Sequence, residues 1–309
     1  MKLEVKPSSS RWAPERRLEF IEFRLQWDRT INRGELMAYF GVSAQQASAD
    51  LARYLQKAPG NLEYDRSAKT YRASTSFAPR LIRFSSQTYL EQLAGIATGK
   101  LPDESALLGW RPPCDVLSLP VRTVAPDTLL QVHRAVRLGL DLEVTYQSMR
   151  RRESTSRWIA PHALASDGLR WHSRAWCYES GAFKDFVLSR IQAVGRERER
   201  EGVLPEDEAW KTQIDVVIRP RAGLSRSQRE ATEAEYGMVD GSLTIRCRKA
   251  MAFYLLRLLH LDRVDSTTPV AQQPLEVEHS AVLAEVIDAA RKLPVSGTPD
   301  DHSHRKSTS

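Results

Sequence analysis

Between Asn32 and Arg72 the chain carries its own punctuation, and few folds can satisfy it. Asn32 precedes a short helical run, Arg33 to Phe40, and offers a side-chain oxygen to the orphan amides of its first turn. Gly41-Val42-Ser43 breaks that run, with glycine where a sharp helix-to-helix turn needs positive φ. Ser43 then caps a second helix, Ala44 to Lys57. At 100° per residue, Ala47, Leu51, Tyr54 and Leu55 share one face, while Gln45, Gln46, Ala49, Ala52, Arg53 and Gln56 share the other. The first face can pack on Leu36 and Phe40. The second carries amides and an arginine among small residues, which suits a helix entering a DNA major groove: Gln reads adenine edges, Arg reads guanine, and alanine permits close approach. After Pro59-Gly60 come Leu62-Glu63-Tyr64, a polar turn from Asp65 to Lys69, and Thr70-Tyr71-Arg72. This spacing predicts a hairpin whose tip offers Arg66 and Lys69 to phosphates, as a wing does. The expected DNA-binding residues are Ser43, Gln45, Gln46, Ala49 and Arg53 on the helix, with Arg66 and Lys69 on the wing.

Charge supports that reading through its distribution. Of the net +6, residues 1–80 hold 14 Lys and Arg against 9 Asp and Glu, and the rest of the chain is nearly balanced. The excess cation therefore lies with the helix-turn-helix, where a polyanion partner would want it. No apolar run is long enough to span a membrane, and Met1 to Trp12 lacks an apolar signal core. Cys114, Cys177 and Cys247 are far apart without a CxxC pair, so neither a disulfide framework nor a zinc site is expected. A cytoplasmic protein without metal or cofactor fits these features.

At 309 residues the chain has room for several cores. Pro14 opens a first helix to about Trp27, and Ser85 or Ser86 caps another from Gln87 to about Thr98. Pro102, Pro112, Pro113 and Pro120 make residues 81–125 a connector. Pro126 opens a helix that Gly139 ends, with Leu129, Leu130, Val132, Ala135 and Val136 expected to pack. Strands then follow at short intervals: Leu140 to Gln147, Ser156 to Ala163, Leu169 to Tyr178, and Phe183 to Val194. With no long helix between them they predict a small, strongly bent sheet or barrel. Glu197 to Glu206 is a charge-dense linker. Beyond it lie a strand from Trp210 to Pro220, a polar helix from Ser225 to Tyr236, a strand from Ser242 to Arg248, and an apolar helix from Met251 to Leu261. That last helix has more apolar surface than one small domain hides, so either another chain or the same chain's core must cover it. From Val295 the sequence is polar and expected to be disordered, with His302 and His304 an idle tail.

In the Leu169–Tyr178 strand, Leu169, Trp171, Ser173, Ala175 and Cys177 form an apolar and small face. Arg170, His172, Arg174, Trp176 and Tyr178 form a basic and aromatic one, and Arg190 arrives on the next strand. Cations beside rings suit an anionic ligand with a flat ring, such as a nucleotide or single-stranded nucleic acid. A solvated face of salt bridges is the plainer alternative.

The order of these parts resembles the WYL-domain transcriptional regulators, and within them the CapW/BrxR type, repressors found beside anti-phage defence operons. The resemblance rests on Tyr146, Trp158-Ile159-Ala160-Pro161-His162, Trp171-His172-Ser173, Leu188-Ser189-Arg190-Ile191, and Arg219-Pro220 with Leu224-Ser225 and Gln228-Arg229. It covers roughly residues 14 to 285. Trp171, His172 and Ser173 stand where the family has Trp, Tyr and Leu, so only the first letter of its naming motif is kept. The resemblance implies an α+β multidomain chain: an N-terminal winged helix-turn-helix (1–80), a connector (81–125), a central Sm-like β-barrel WYL domain that senses a ligand (126–197), a small α/β C-terminal dimerisation domain (208–290) and a tail (291–309). It further implies a homodimer on an inverted-repeat double-stranded DNA operator, and Tyr146, His162, Trp171, His172, Arg174 and Arg190 as the ligand-facing residues.

Two other functions compete. A nucleic-acid-processing enzyme would need clustered carboxylates for a metal, or a histidine beside a nucleophile. The chain has no HExxH, glycine-rich phosphate loop or nucleophile elbow, and His133, His162, His172 and His260 are scattered. The other is an adaptor whose winged helix binds protein.

Overall fold

The computed structural model describes residues 14–83, 85–103, 106–117, 119–120, 122–262, 267–278 and 283–287. They fall into two units, one up to Pro120 and one beyond it. The expected loose N-terminus and the polar tail with His302 and His304 lie outside the described residues.

In the first unit, α1 (Pro14–Trp27) leads through β1 (Thr30–Ile31) to α2 (Arg33–Phe40) and α3 (Ala44–Lys57). Asn32 and Glu35 form a reciprocal capping box at α2: the Glu35 amide donates to the Asn32 side chain (3.1 Å) and the Asn32 amide to the Glu35 carboxylate (3.0 Å). Gly41 ends α2 at φ +66°, and Ser43 accepts from the Gln46 amide (3.1 Å) to start α3. The wing is β2 (Leu62–Asp65) and β3 (Thr70–Ala73), and α4 (Ser86–Ala97) follows in the connector. The sheet order is β1-β3-β2. β1 went unforeseen because two residues show no alternation. Leu18, Ile21 and Leu25 of α1, Leu36 of α2, and Ala47, Leu51 and Tyr54 of α3 form the core.

One charge sits inside this unit. Glu22 is fully buried, and its carboxylate accepts from the backbone amides of Arg80 (2.9 Å), Leu81 (2.7 Å) and Ile82 (2.9 Å) and from the Tyr54 hydroxyl (3.1 Å). Four donors compensate its lost hydration and anchor the start of the connector to α1 and α3. Burial, followed by the adjacent Glu22 charge, holds the Tyr54 hydroxyl well above the usual phenol range despite the opposing bond from Asn61.

The second unit begins with α5 (Pro126–Leu138), closed by Gly139 at φ +69°. Val132 and Ala135 are buried, but Leu129 and Leu130, expected to pack, are exposed. Five antiparallel strands follow: β4 (Leu140–Tyr146), β5 (Thr155–Ser166), β6 (Trp171–Cys177), β7 (Ala182–Val187) and β8 (Ile191–Glu199), in the order β7-β6-β5-β4-β8. The stretch expected as one strand from Phe183 to Val194 is broken by a 3-10 turn at Leu188–Arg190, which starts a new strand at the far edge. β8 also runs into what reads as linker, because Arg198 and Arg200 pair with fully buried Asp141 (3.4 and 3.1 Å). The bent sheet is barrel-like without closing; no ladder joins β7 to β8 among the described residues.

Pro161 cannot donate a ladder hydrogen bond, and the β5–β6 register slips just beyond it, leaving His162 as the extra residue of a bulge. After a short helix, α6 (Glu208–Lys211), the C-terminal part has β9 (Gln213–Pro220), α7 (Arg226–Glu235), β10 (Leu243–Arg248), α8 (Lys249–Leu258) and β11 (Leu275–Val277), with sheet order β10-β9-β11. Val216, Ile218, Ala252 and Leu256 centre its core. Tyr254 of α8 packs on His172, ring centroids 5.1 Å apart, so part of the surplus apolar face is covered by the same chain.

Glu22→Ala should leave three backbone amides unpaired and cost about 3 kcal/mol. Urea denaturation of the full chain checks this; a loss within ~0.5 kcal/mol would refute the anchoring role.

Candidate functional site

The outer face of α3 is open. Ser43, Gln45, Gln46, Ala49, Ala52, Arg53 and Gln56 are all exposed, whereas Ala47, Asp50, Leu51 and Tyr54 are buried. The turn at Gly41 and the cap at Ser43 set the angle of α3, and Ala49 and Ala52 leave its centre free of bulk. Arg53 is 3.9 Å from Glu15, an exposed pair too weak to withhold it from an anion.

Asp50 is the residue that sequence reasoning missed. Arg17 of α1 grips it with Nε (2.6 Å) and a terminal nitrogen (3.2 Å), and Gln46 donates its amide to the same carboxylate (3.0 Å). A buried ion pair thus orients a side chain on the exposed face of α3. The signal was present: Asp50 lies three residues after Ala47 and four before Tyr54, on the flank of the apolar stripe.

At the wing tip Arg66 and Lys69 are exposed. Asp65 accepts from the Ser67 hydroxyl (2.6 Å) and from the amides of Ser67 (2.9 Å) and Ala68 (3.0 Å), which allows Lys69 to adopt φ +51°. The Ser67 hydroxyl, ahead of the backbone amides and Arg72, holds the Asp65 carboxyl below the usual carboxylate range. Arg72 pairs with it at 2.8 Å, so the turn's only carboxylate is neutralised internally.

The six ligand-facing candidates do not form one surface. Tyr146 lies in the sheet core, edge-on to Phe186, with its hydroxyl accepting from the Val187 amide (3.2 Å). His162, turned out by the bulge, meets Asp207 (3.0 Å) beside Phe183 and Trp210, which also line an open cavity of about 460 Å³. Arg174 donates to both Asp207 oxygens (2.7 and 3.1 Å) and to Asp185 (3.2 Å). His172 is 2% exposed beneath Tyr254, whose hydroxyl donates to Asp185 (3.0 Å). Trp171 is 55% exposed and Arg190 half-buried. The expectation of an open basic and aromatic face on β6 is therefore corrected. His172 and Arg174 are covered by the Asp207 segment and α8, because an arginine out of water requires carboxylates around it.

Burial opposes ionisation of Asp207, but hydrogen bonding and charge from Arg174, then His162, outweigh it and depress its pKa. Burial lowers the His172 pKa ahead of the opposing charges of Asp167 and Asp185. Through Asp185, which accepts from both Arg174 and Tyr254, these bonds join the five-stranded sheet to α8.

Family models for the "BrxR transcriptional regulator winged helix-turn-helix domain" match residues 14–95, "WYL domain" residues 127–195, and "BrxR transcriptional regulator, C-terminal dimerization domain" residues 213–283. The chain is 41% identical over 274 residues to the "DNA-binding transcriptional repressor CapW" of Stenotrophomonas maltophilia, covering 88% of this chain and 92% of that one. The chain belongs to the CapW/BrxR family of transcriptional regulators. Another CapW/BrxR member, the repressor CapW of Pseudomonas aeruginosa, is 40% identical over 86% of this chain and 90% of its own. A solved structure, proteasome accessory factor B/C of Arthrobacter aurescens, aligns at 19% identity over 94% of this chain and 51% of that one, with a TM-score of 0.25, too low to carry an argument. No described helix is long and apolar enough to cross a membrane.

The depressed Asp207 pKa gives this CapW/BrxR chain a pH limit. Its contribution to stability is complete above the ordinary carboxylate value of about 3.9 and is lost as pH falls through the lower folded value. Melting curves from pH 6 down to about 3 should show a fall in the wild type that Asp207→Asn flattens; parallel curves would exclude Asp207.

Proposed function

We propose that this chain is a homodimeric, sequence-specific repressor that binds an inverted-repeat DNA operator in the cytoplasm and performs no catalysis. The observation that carries this reading is the exposed face of α3, with glutamines and Arg53 around a centre of alanines, in a chain 41% identical to DNA-binding repressors over most of its length. The C-terminal dimerisation-domain match supports two-fold symmetry, which would set the recognition helices on half-sites about 34 Å apart or a multiple of that. The resemblance of the domain order supports control of an anti-phage defence operon. Modulation by a nucleotide or nucleic-acid ligand at the WYL domain is supported by exposed Trp171 on β6 and half-buried Arg190 at the end of the 3-10 turn before β8.

The deciding experiment is a salt-dependent gel shift on DNA from upstream of the coding region, against a scrambled duplex. Gln45→Ala and Arg53→Ala should each weaken operator binding about tenfold and scrambled binding little. Lys69→Ala should weaken both equally and reduce the salt slope by about 1. Equal losses on both duplexes for the Gln45 and Arg53 variants would refute the readout assigned to α3.

Asp50→Asn removes the charge that orients Gln46 and should lower the operator-to-scrambled ratio roughly fivefold, leaving scrambled binding unchanged. Equal loss on the two duplexes would reduce Asp50 to a fold-supporting role.

A further inference from the structure

In the first unit, where the end of α1 meets β1 and the connector, Arg24, Trp27, Asp28, Thr30 and Trp110 line an open cavity of about 300 Å³. That size is at the lower end of small-ligand pockets, which run from roughly 300 to 1,000 Å³. The Trp27 ring is held against Tyr89, with centroids 4.4 Å apart. A Cβ on Gly109 would collide with the Asp28 carboxylate and the Arg24 guanidinium, so the connector crosses directly over that ion pair. The crossing sets Trp110 beside the cavity with most of its surface, 71%, in solvent.

Three side-chain polar atoms that are buried without a hydrogen bond belong to residues of this lining: Trp27 Nε1, Arg24 Nε and Asp28 Oδ2. The last two face each other at 2.8 Å as an ion pair, so of the three it is the indole N–H that has no polar partner. A buried donor without an acceptor is costly. Burial also raises the Asp28 pKa, against the pull of Arg24 and of the Trp110 amide. The one cation of the lining is already neutralised, because Arg24 pairs with Glu35 as well as with Asp28. Nothing there is left to hold an anion. What the cavity offers is indole surface, an N–H that can only donate and a carboxylate that can only accept.

We propose that this cavity binds an uncharged nucleobase, free or in a nucleoside, stacked on Trp110, with an N–H of the base donated to Asp28 and a carbonyl or ring nitrogen accepting from Trp27 Nε1. A base edge sets a donor beside an acceptor, which is the complement of a carboxylate beside an indole N–H. Its flat ring suits the tryptophan faces, and its lack of charge suits a lining whose only cation is paired. Bases taken out of a stack are held in this way, between aromatic side chains and hydrogen-bonded along their polar edge. The site lies in the unit that carries the helix-turn-helix and is separate from any ligand of the WYL domain, so it goes beyond the repressor reading and does not depend on it. Arg24 borders the cavity and also holds Glu35 of the α2 capping box, which places an occupant one side chain from the helix-turn-helix.

Calorimetric titration of the full chain with adenosine, guanosine and uridine tests the site. At least one should bind, and Trp110→Ala, which removes the stacking surface, should weaken it roughly tenfold or more. Trp27→Phe keeps a ring, removes only the N–H, and should weaken binding about fivefold. Because Trp110 is mostly exposed, its variant should melt with the wild type. Adenine or uracil binding as tightly as its nucleoside means the base suffices, whereas a tighter nucleoside means the sugar adds contacts. The Trp27 indole N–H resonance, assigned by its absence from Trp27→Phe, should shift at saturation. Binding by none of the three, or binding indifferent to both Trp110→Ala and Trp27→Phe, overturns the site. So does binding that Trp171→Ala abolishes and Trp110→Ala spares, which would place the base on the WYL domain.

Discussion

A carboxylate withdrawn from water must be paired and hydrogen-bonded, and this protein is organised around places where that requirement is met. Glu22 meets it with three connector amides and the Tyr54 hydroxyl, Asp50 with Arg17 and Gln46, and Asp207 with Arg174 and His162. Each arrangement joins elements distant in sequence: helix to connector, α1 to α3, and the five-stranded sheet to the segment ahead of the C-terminal domain. None adds much net stability over an apolar substitute of the same shape. Their value is directional, because breaking one partner leaves the other stranded and so fixes a single relative placement.

That rule separates residues available for function from those that are not. On α3 the buried pair fixes the helix from behind while its outer face stays free. On the wing, Asp65 is satisfied within its own turn and by Arg72, so Arg66 and Lys69 project without a competing carboxylate at the tip. In the WYL domain Arg174 is engaged by both Asp185 and Asp207, which withdraws it from the surface.

The bulge at His162 follows from one residue type. Pro161 lacks an N–H, the ladder slips beside it, and the next side chain is turned toward Asp207 rather than into the regular pleat. A sequence pass that alternates faces along β5 and β6 takes no account of such slips, nor of what lies across either face. It therefore read His172 and Arg174 as surface residues.

Much was legible from local pattern alone: the capping box at Asn32, the breaks at Gly41 and Gly139, the period of α3, the hairpin around Asp65, and the run of short strands after Gly139. These depend on interactions within a few residues, which sequence spacing states directly. The two-residue strand β1, the break of one expected strand into β7 and β8, and the exposure of Leu129 and Leu130 were decided by partners far along the chain. So was the pairing of Arg17 with Asp50. By itself the sequence determined that a charged helix face and a basic wing exist. Only the tertiary structure decided which charges are neutralised and which remain, because neutralisation requires two groups to come within a few ångströms, and that distance belongs to the fold.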